Sequence, residues 1–350
     1  MLLKELSNLP GPSGYEKVIR DYLKKTLKPI ADEIYSDILG NLICLKRSSK
    51  STKHKILISS HMDEVGFLIS DISKDGLVRV RPLGGIDPRV VLSKRIYFPE
   101  HKIFGVIGNI PIHLQKDSDL ERVPDWESIH VDIGAENEKD AKKYLKVGDY
   151  GVFDTQFKDI DGTVMGKAFD DRIGCYIITE LLKNRYDFDL YAVFSTQEES
   201  GLRGIRTAVD SVKPELGFNL ECTTAGDLPR EKDISPSTEL GKGPAITIMD
   251  RTSISSPKLL RYLTETAVKN KIPYQFKRSQ TGGTDAGYIN TYGSGVCCVT
   301  VSVPARYIHS PVSIAKKSDI AYTIKLIDSA LKNLTKNKIL PGGNNNEKNN

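Results

Sequence analysis

His61 in SHMDEVG, Asp170 in AFDDR, Glu198 and Glu199 in STQEES, Glu221 in NLEC and His309 in RYIHSP are side chains of the types that ligate divalent cations. Two neutral imidazoles and three carboxylates can hold a pair of such cations if one carboxylate is shared, which leaves Glu198 over to handle protons. Side chains alternate along a strand, so His61 and Asp63 point the same way, and Asp63 can accept the imidazole N–H that a metal does not use. An isolated HxD is usually satisfied by hydrogen bonds; its company with the other acids gives it weight.

Asp170 and Asp171 stand before a helical pattern whose apolar face uses Ile173, Tyr176, Ile177 and Leu181. For a lone Asp pair an N-cap is the plainer reading. In the functional reading Asp170 bridges two cations about 3.5–4 Å apart, and Asp171 is left for capping or support. Glu198 and Glu199 follow the apolar run LYAVFST and precede Gly201. Adjacent carboxylates there repel unless something cationic offsets them. Neighbouring residues point to different sides, so one can bind metal while the other faces substrate. Glu221 ends the run LGFNLE and ranks ahead of Asp227, although an acid at a strand end could equally contact a backbone amide or an Arg. His309 follows VCCVTVSV. Of the other histidines, His54 and His101 lie beside lysines and His130 sits in the β-rich middle of the chain, leaving His113 in PIHL as the further candidate.

Several elements must position these groups. The 350 residues, 39% hydrophobic, suffice for one large or two moderate domains and exclude disorder of the whole chain. A net charge of +5, from 50 basic and 45 acidic residues, supplies no strong field for nucleic acid or membrane. Lys24–Lys25 and Lys316–Lys317 read as solvated helix faces. The N-terminus reaches Pro and Gly before any apolar run is long enough for a signal or membrane segment, so a cytoplasmic location is expected. The five cysteines form no CxxC spacing and read as reduced core thiols, with Cys222 notable for following Glu221.

Gly14 to Leu27 predicts an amphipathic helix with Val18, Ile19, Tyr22, Leu23 and Leu27 on one face. Ile56 to Ser59 predicts a buried strand that ends at His61. From Gly66 to Asp161 short β-type runs are broken by Gly, Pro and charge, including a polar stretch from Gln115 to Glu127. Helix and strand patterns alternate afterwards, implying an α/β sheet sandwich. The last helix takes Ser318 as N-cap and Ile320, Ile324, Ile327, Leu331 and Leu334 as its stripe. The expected division is a catalytic domain of residues 1–65 and 162–340, a β-rich insert of 66–161 and a disordered polar tail of 341–350.

Assembled, these residues resemble the tetrahedral aminopeptidase family of co-catalytic metallopeptidases, which includes deblocking and glutamyl aminopeptidases and has members labelled endoglucanases. LSNLPGPSGYE, DILGNLI, GGIDPRVV, GVIGNIPIHL, DIGA, GKGPAIT, GGTDAG and VPARYIHSP follow the family's order through nearly the whole chain. The resemblance implies an α/β/α mixed-sheet catalytic domain with a small barrel-like insert for dimerisation or a lid. It makes His61 and Glu221 terminal ligands of one metal, Glu199 and His309 of the other, Asp170 the bridge, Glu198 the general base and Asp63 the residue that orients His61. A cis peptide after Asp170 is implied too. Two zinc or cobalt ions per subunit would activate a bridging hydroxide to remove N-terminal residues from peptides. Gly283, Thr284, Asp285 and Arg306 are candidates to bind substrate. Dimers building a hollow dodecamer are implied as the assembly, with no nucleic-acid or membrane partner. Many members carry Asp at the position of Glu221 and Asn at that of Asp171, and KDSDLERVPDWES departs from the pattern. Other readings are a dinuclear deacylase or carboxypeptidase-like amidase, a glycosidase, and a non-catalytic scaffold on the same fold.

Overall fold

The computed structural model describes residues 1–50, 54–115, 122–229, 237–337 and 339–340. The chain opens with helices α1 (Leu2–Asn8) and α2 (Lys17–Leu27) and strands β1 (Glu33–Ser36), β2 (Leu42–Lys46) and β3 (Lys55–His61). Six strands then close into a barrel: β4 (Gly66–Ile72), β5 (Val78–Leu83), β6 (Arg95–Phe98), β7 (Ile103–Ile107), β8 (His130–Asp132) and β9 (Tyr150–Phe153), with the short helix α3 (Glu138–Ala141) between the last two. The remainder is β10 (Lys158–Ile160), β11 (Thr163–Gly166), α4 (Phe169–Leu181), β12 (Asp189–Ser195), α5 (Gly204–Val212), β13 (Leu216–Thr224) and β14 (Ala245–Thr247), followed by α6 (Pro257–Lys269), β15 (Gln275–Lys277), α7 (Ala286–Asn290), β16 (Cys297–Arg306), β17 (Ser313–Lys316) and α8 (Lys317–Asn333).

Eleven strands outside the barrel form one sheet in the order β1-β2-β12-β3-β13-β16-β17-β11-β10, with β14 on β16 and β15 on β14. Its middle, β12-β3-β13-β16, is parallel. A parallel sheet must be covered on both faces, which is why its strands read as continuous apolar runs. Ile56 and Ile58 face a layer shared with α2, α4, α6 and α8, while Leu57 faces α5 and α7. Each such buried aliphatic contributes about 1.5–3 kcal/mol. The barrel has its own core, with Phe67, Val80, Phe98 and Phe153 inside and the exposed positions of β5 alternating between them.

The α/β fold with a barrel-like insert is as the resemblance implies; several local expectations change. Residues 2–8 form a helix that the early Pro and Gly had obscured, and Val18 on α2 is 40% exposed while Ile19, Leu23 and Leu27 are buried. Strand β10, which falls inside the insert as bounded from sequence, pairs with β11 of the large sheet. Helix α8 starts at Lys317 with no side-chain cap, because β17 runs straight into it and leaves Ser318 inside the first turn. Cys44, Cys175, Cys222 and Cys298 are buried and unpaired, but Cys297 at the start of β16 is exposed. Residues 341–350 and 116–121 of the polar stretch lie outside the described residues. Among the described residues no helix is long and apolar enough to cross a membrane.

Candidate active site

Parallel pairing brings the C-terminal ends of the central strands to one edge, where α/β folds bind ligands. His61 is the last residue of β3 and pairs in register with Ser195, the last of β12, so Glu198 and Glu199 lie in the turn just beyond. The β3–β13 register pairs Ser59 with Asn219, which sets Glu221 level with His61 on the next strand. His309 follows β16. Asp170 arrives from above the sheet at the start of α4, where Ala168 takes a left-handed conformation and the Asp170–Asp171 peptide is cis. Close approach of α4 to β3 depends on Gly174, where a Cβ would lie 2.3 Å from Asp171 Oδ2 and 2.6 Å from Ser60 Oγ.

The side chains converge. Asp170 Oδ1 is 3.3 Å from His61 Nε2, and Asp170 Oδ2 is 3.3 Å from His309 Nε2. Glu221 Oε2 lies 3.6 Å and Glu198 Oε2 4.0 Å from His61 Nε2, while Glu199 Oε1 lies 3.3 Å from His309 Nε2. Each imidazole is aimed through its other nitrogen: His61 Nδ1 is 3.0 Å from the main-chain oxygen of Asp63, and His309 Nδ1 is 2.8 Å from that of Gly85. The Asp63 carboxylate is farther from His61, at 3.5 Å. It accepts from Ser13 Oγ at 2.6 Å and from the amides of Glu198 and Glu199 at 3.0 and 3.1 Å, so its first effect is to hold the Glu–Glu turn.

Sequence reasoning missed the supports of this turn. Glu16 accepts from the amide of Gln197 at 2.9 Å and Asn41 Oδ1 from that of Thr196 at 2.9 Å. Asn219 donates to Glu221 Oε1 at 3.0 Å and receives Ser59 Oγ. Asp171 accepts from Ser60 Oγ at 2.6 Å and from the Gly174 amide at 3.0 Å, which makes it a helix cap tied to β3.

Burial of this many acids has an electrostatic cost. Burial, reinforced by neighbouring carboxylates, pushes the carboxyls of Glu198 and Glu221 well above the usual range, and Glu199 up to about 7. Burial also opposes charge on Asp170, but hydrogen bonds from His309 and His61 overcome it and hold that carboxyl low. Burial lowers His309 less than Glu199 and Asp170 raise it, to about 10. Carboxylates thus outnumber the imidazoles that face them, a deficit of positive charge suited to divalent cations. Donor atoms of His61, Asp170 and Glu199, of His61, Glu198 and Glu221, and of Asp170, Asp171 and Glu221 lie within 4.8 Å of one another.

His61, Asp170, Glu198, Glu199, Glu221 and His309 floor a cavity of about 710 Å³, with Gly283 and Thr284 in its wall. Asp285 and Arg306 do not line it. Asp285 is buried and accepts from Ser195 Oγ, and Arg306 Nε donates to Asp227 at 2.6 Å. His113 is exposed in a short turn away from the cavity, and His54, His101 and His130 do not line it either.

An α/β sheet with this buried donor set near its strand ends is an arrangement able to hold divalent cations for hydrolysis, and the comparisons with known proteins give the class as peptidase. Residues 40–326 match the model of the M42 glutamyl aminopeptidase family, and the chain belongs to that family. It is 36% identical over 342 residues to a lysyl aminopeptidase of Pyrococcus furiosus, covering 95% of this chain and 96% of the relative. Its fold matches the crystal structure of a TET aminopeptidase from the marine sediment archaeon Thaumarchaeota archaeon SCGC AB-539-E09 with TM-score 0.91 and 33% identity, covering 95% of each chain. It also matches a Pyrococcus horikoshii TET1 peptidase that can assemble into a tetrahedron or a large octahedral shell, with TM-score 0.83 and 31% identity over 94% of this chain and 98% of the other. Glutamyl and lysyl name substrates of opposite charge, so membership leaves the side-chain preference open.

Proposed function

We propose that the protein is a dinuclear metal-dependent aminopeptidase that removes N-terminal residues from peptides. The observation that carries this reading is that the two oxygens of Asp170 each lie 3.3 Å from a different imidazole, His61 and His309, with Glu221 beside the first and Glu199 beside the second. One divalent cation would be held by His61, Glu221 and Asp170, the other by His309, Glu199 and the same Asp170, with zinc or cobalt suited to imidazole and carboxylate donors. Bound cations supply Lewis acidity toward the scissile carbonyl and acidify a water.

The chain's own groups do the remainder. Glu198, buried with its carboxyl pushed up, takes a proton at Oε2 and returns it to the departing amine. Asp63, through the amides of Glu198 and Glu199, keeps the base and the neighbouring ligand in place. The substrate's free α-amine would sit beside the second cation site and an acid, which restricts cleavage to the first peptide bond. Thr284 and Gly283 contribute to the wall against which the first side chain lies.

Residues 1–65 and 162–340, with β10 paired into the same sheet, serve as the catalytic domain and the remainder of 66–161 as a dimerisation or lid domain, within a homo-oligomer of dimers building a dodecamer. Peptides are the partners, and buried, unpaired cysteines fit a cytoplasmic location. Aminoacyl-p-nitroanilides assayed beside N-acyl amino acids, with metal content measured, test the reading. Expected are cleavage of the anilides alone, about two metal equivalents per chain, loss of activity with a chelator and its return with zinc or cobalt. Hydrolysis of only the N-acyl compounds overturns it.

A further inference from the structure

A second group of ligand-type side chains lies outside the catalytic cavity, on the barrel. Strands β6 and β7 pair as far as Phe98 with Ile103, so residues 99–102 make a tight turn that presents Glu100 and His101, with Lys102 left-handed to close it. Asp149, just before β9, comes up beside them. His101 Nε2 lies 2.9 Å from Asp149 Oδ2, and ligand atoms of Glu100, His101 and Asp149 all fall within 4.8 Å of one another. None of the three lines the catalytic cavity.

Asp149 is held in place by its own main chain. It is 3% exposed; its amide donates to the Lys146 oxygen at 3.1 Å, its main-chain oxygen accepts from the Ile69 amide at 2.8 Å, and its Oδ2 accepts from the Lys146 amide at 2.9 Å. An ion pair with His101 accounts for two of the three groups but leaves Glu100, a second carboxylate at the same spot. Among the described residues no Lys or Arg pairs with either acid, and neither Asp149 Oδ1 nor the Glu100 carboxylate accepts a hydrogen bond. Carboxylates so placed repel one another unless a cation offsets them. One imidazole and two carboxylates are donors for a transition-metal dication such as zinc or cobalt. With bonds of about 2.0–2.2 Å, such an ion sets its ligand atoms roughly 3.4 Å apart, so His101 and Asp149 need to separate by only about half an ångström while the exposed Glu100 closes in.

We infer that Glu100, His101 and Asp149 form a divalent-cation site on the barrel, separate from the catalytic one, which clamps the β6–β7 turn to the start of β9. The neighbouring contacts give the clamp a consequence. Tyr15 donates through its hydroxyl to the Gly148 oxygen at 2.8 Å, and its ring packs on that of Tyr150 with centroids 4.4 Å apart. Those contacts, on either side of Asp149, join the barrel to the segment whose Ser13 and Glu16 hold the Glu–Glu turn and its brace. A bound ion stiffens the barrel where this segment leans on it. The inference stands on these residues and does not depend on the aminopeptidase reading.

The test is equilibrium dialysis of the full chain and of His101→Ala against cobalt, with metal counted per chain, beside thermal melts and anomalous diffraction from cobalt-loaded crystals of the unsubstituted protein. The parent is expected to hold one equivalent more than His101→Ala and to show an anomalous peak between His101 Nε2 and Asp149 Oδ2. Cobalt at a hundredfold excess over its dissociation constant for this site is expected to raise the parent's Tm by roughly 4 °C more than the variant's. Equal metal counts in the two proteins overturn the proposal, and a peak seen in crystals while the counts stay equal marks an adventitious ion only. The crystals read the site even where the variant fails to fold, and no peak there overturns the proposal as well. A difference of one equivalent with equal Tm responses removes the clamping role.

Discussion

Replacing Asp63 by Asn removes one charge and turns one acceptor oxygen into a donor, at a carboxylate that accepts three hydrogen bonds. Oδ1 receives the Glu198 amide at 3.0 Å, and Oδ2 receives Ser13 Oγ at 2.6 Å and the Glu199 amide at 3.1 Å. Whichever way the Asn side chain turns, its NH2 meets a main-chain N–H that has no second acceptor. Leaving one buried donor unmade costs about 1–3 kcal/mol, a fall in Tm of roughly 1–4 °C for a chain of this size. The turn relieves the clash by moving, and it carries Glu198 with it; a displacement near 1 Å costs about a hundredfold in rate. The His61 ring, by contrast, is aimed by the main-chain oxygen of Asp63, which the substitution keeps. Asp63→Asn is therefore expected to lose kcat and Tm while retaining bound metal. Thermal melts, steady-state kinetics and metal analysis on one preparation check all three. Unchanged kcat and Tm would refute the reasoning; so would loss of metal with kcat per bound metal intact, which would give the carboxylate the task of orienting His61.

Glu198→Gln is expected to lower kcat by roughly 10²–10⁴-fold with the fold intact, and full activity in a standard anilide assay would remove Glu198 from the proton path. Gly204→Ala places a Cβ 2.3 Å from Asn41 Oδ1 and 2.4 Å from the Thr196 oxygen, atoms with nowhere to go; a loss of about 1–3 kcal/mol follows, read as a denaturant midpoint. Arg306→Ala is expected to leave KM alone and to cost less than about 1 kcal/mol, since the Asp227 pair is partly exposed. Burial raises the Asp227 carboxyl, but the Arg306 hydrogen bond and charge together with the Leu240 amide more than offset it, and the folded value lies below the usual one. Its contribution is therefore present above the unfolded pKa near 4, and is lost as pH falls through the folded value; the stability gap between Arg306→Ala and the parent should close on acidification, and a rise in KM instead would move Arg306 into the pocket.

What could be read from sequence was whatever depends on residue type beside a local pattern. His61, Glu221 and His309 stood out because ligand-type side chains close apolar runs, and the parallel register then sets the strand ends side by side. Asp171 as a cap was legible because a cap lies within a few residues of what it caps. Long-range partners were not. Nothing in PSG or ILGN announces that Ser13 meets Asp63 or that Asn41 meets Thr196, and the buried pair of Lys167 with Glu64, 2.6 Å apart, joins segments with no shared pattern. Alternation correctly placed Asp63 near His61 but could not weigh its carboxylate against its carbonyl. Ser318 failed as a cap because β17 delivers the chain to α8 already in position, and β10 was assigned to the insert because an edge strand of three exposed residues looks the same in either sheet.

The strands that converge on the cavity are β3, β12, β13 and β16, adjacent in the sheet but spread along the chain from residue 55 to residue 306. A protein that cuts peptides is itself a peptide while it is being made. Parallel strands cannot pair until their crossovers have been synthesised, and such long-range pairing is slow. On the proposed ligand set, a nascent segment lacking His309 has yet to complete the cluster around Asp170, which forms only when nearly all of the sheet has been made. Order of synthesis thereby makes the proposed site one of the last features of the molecule to be assembled.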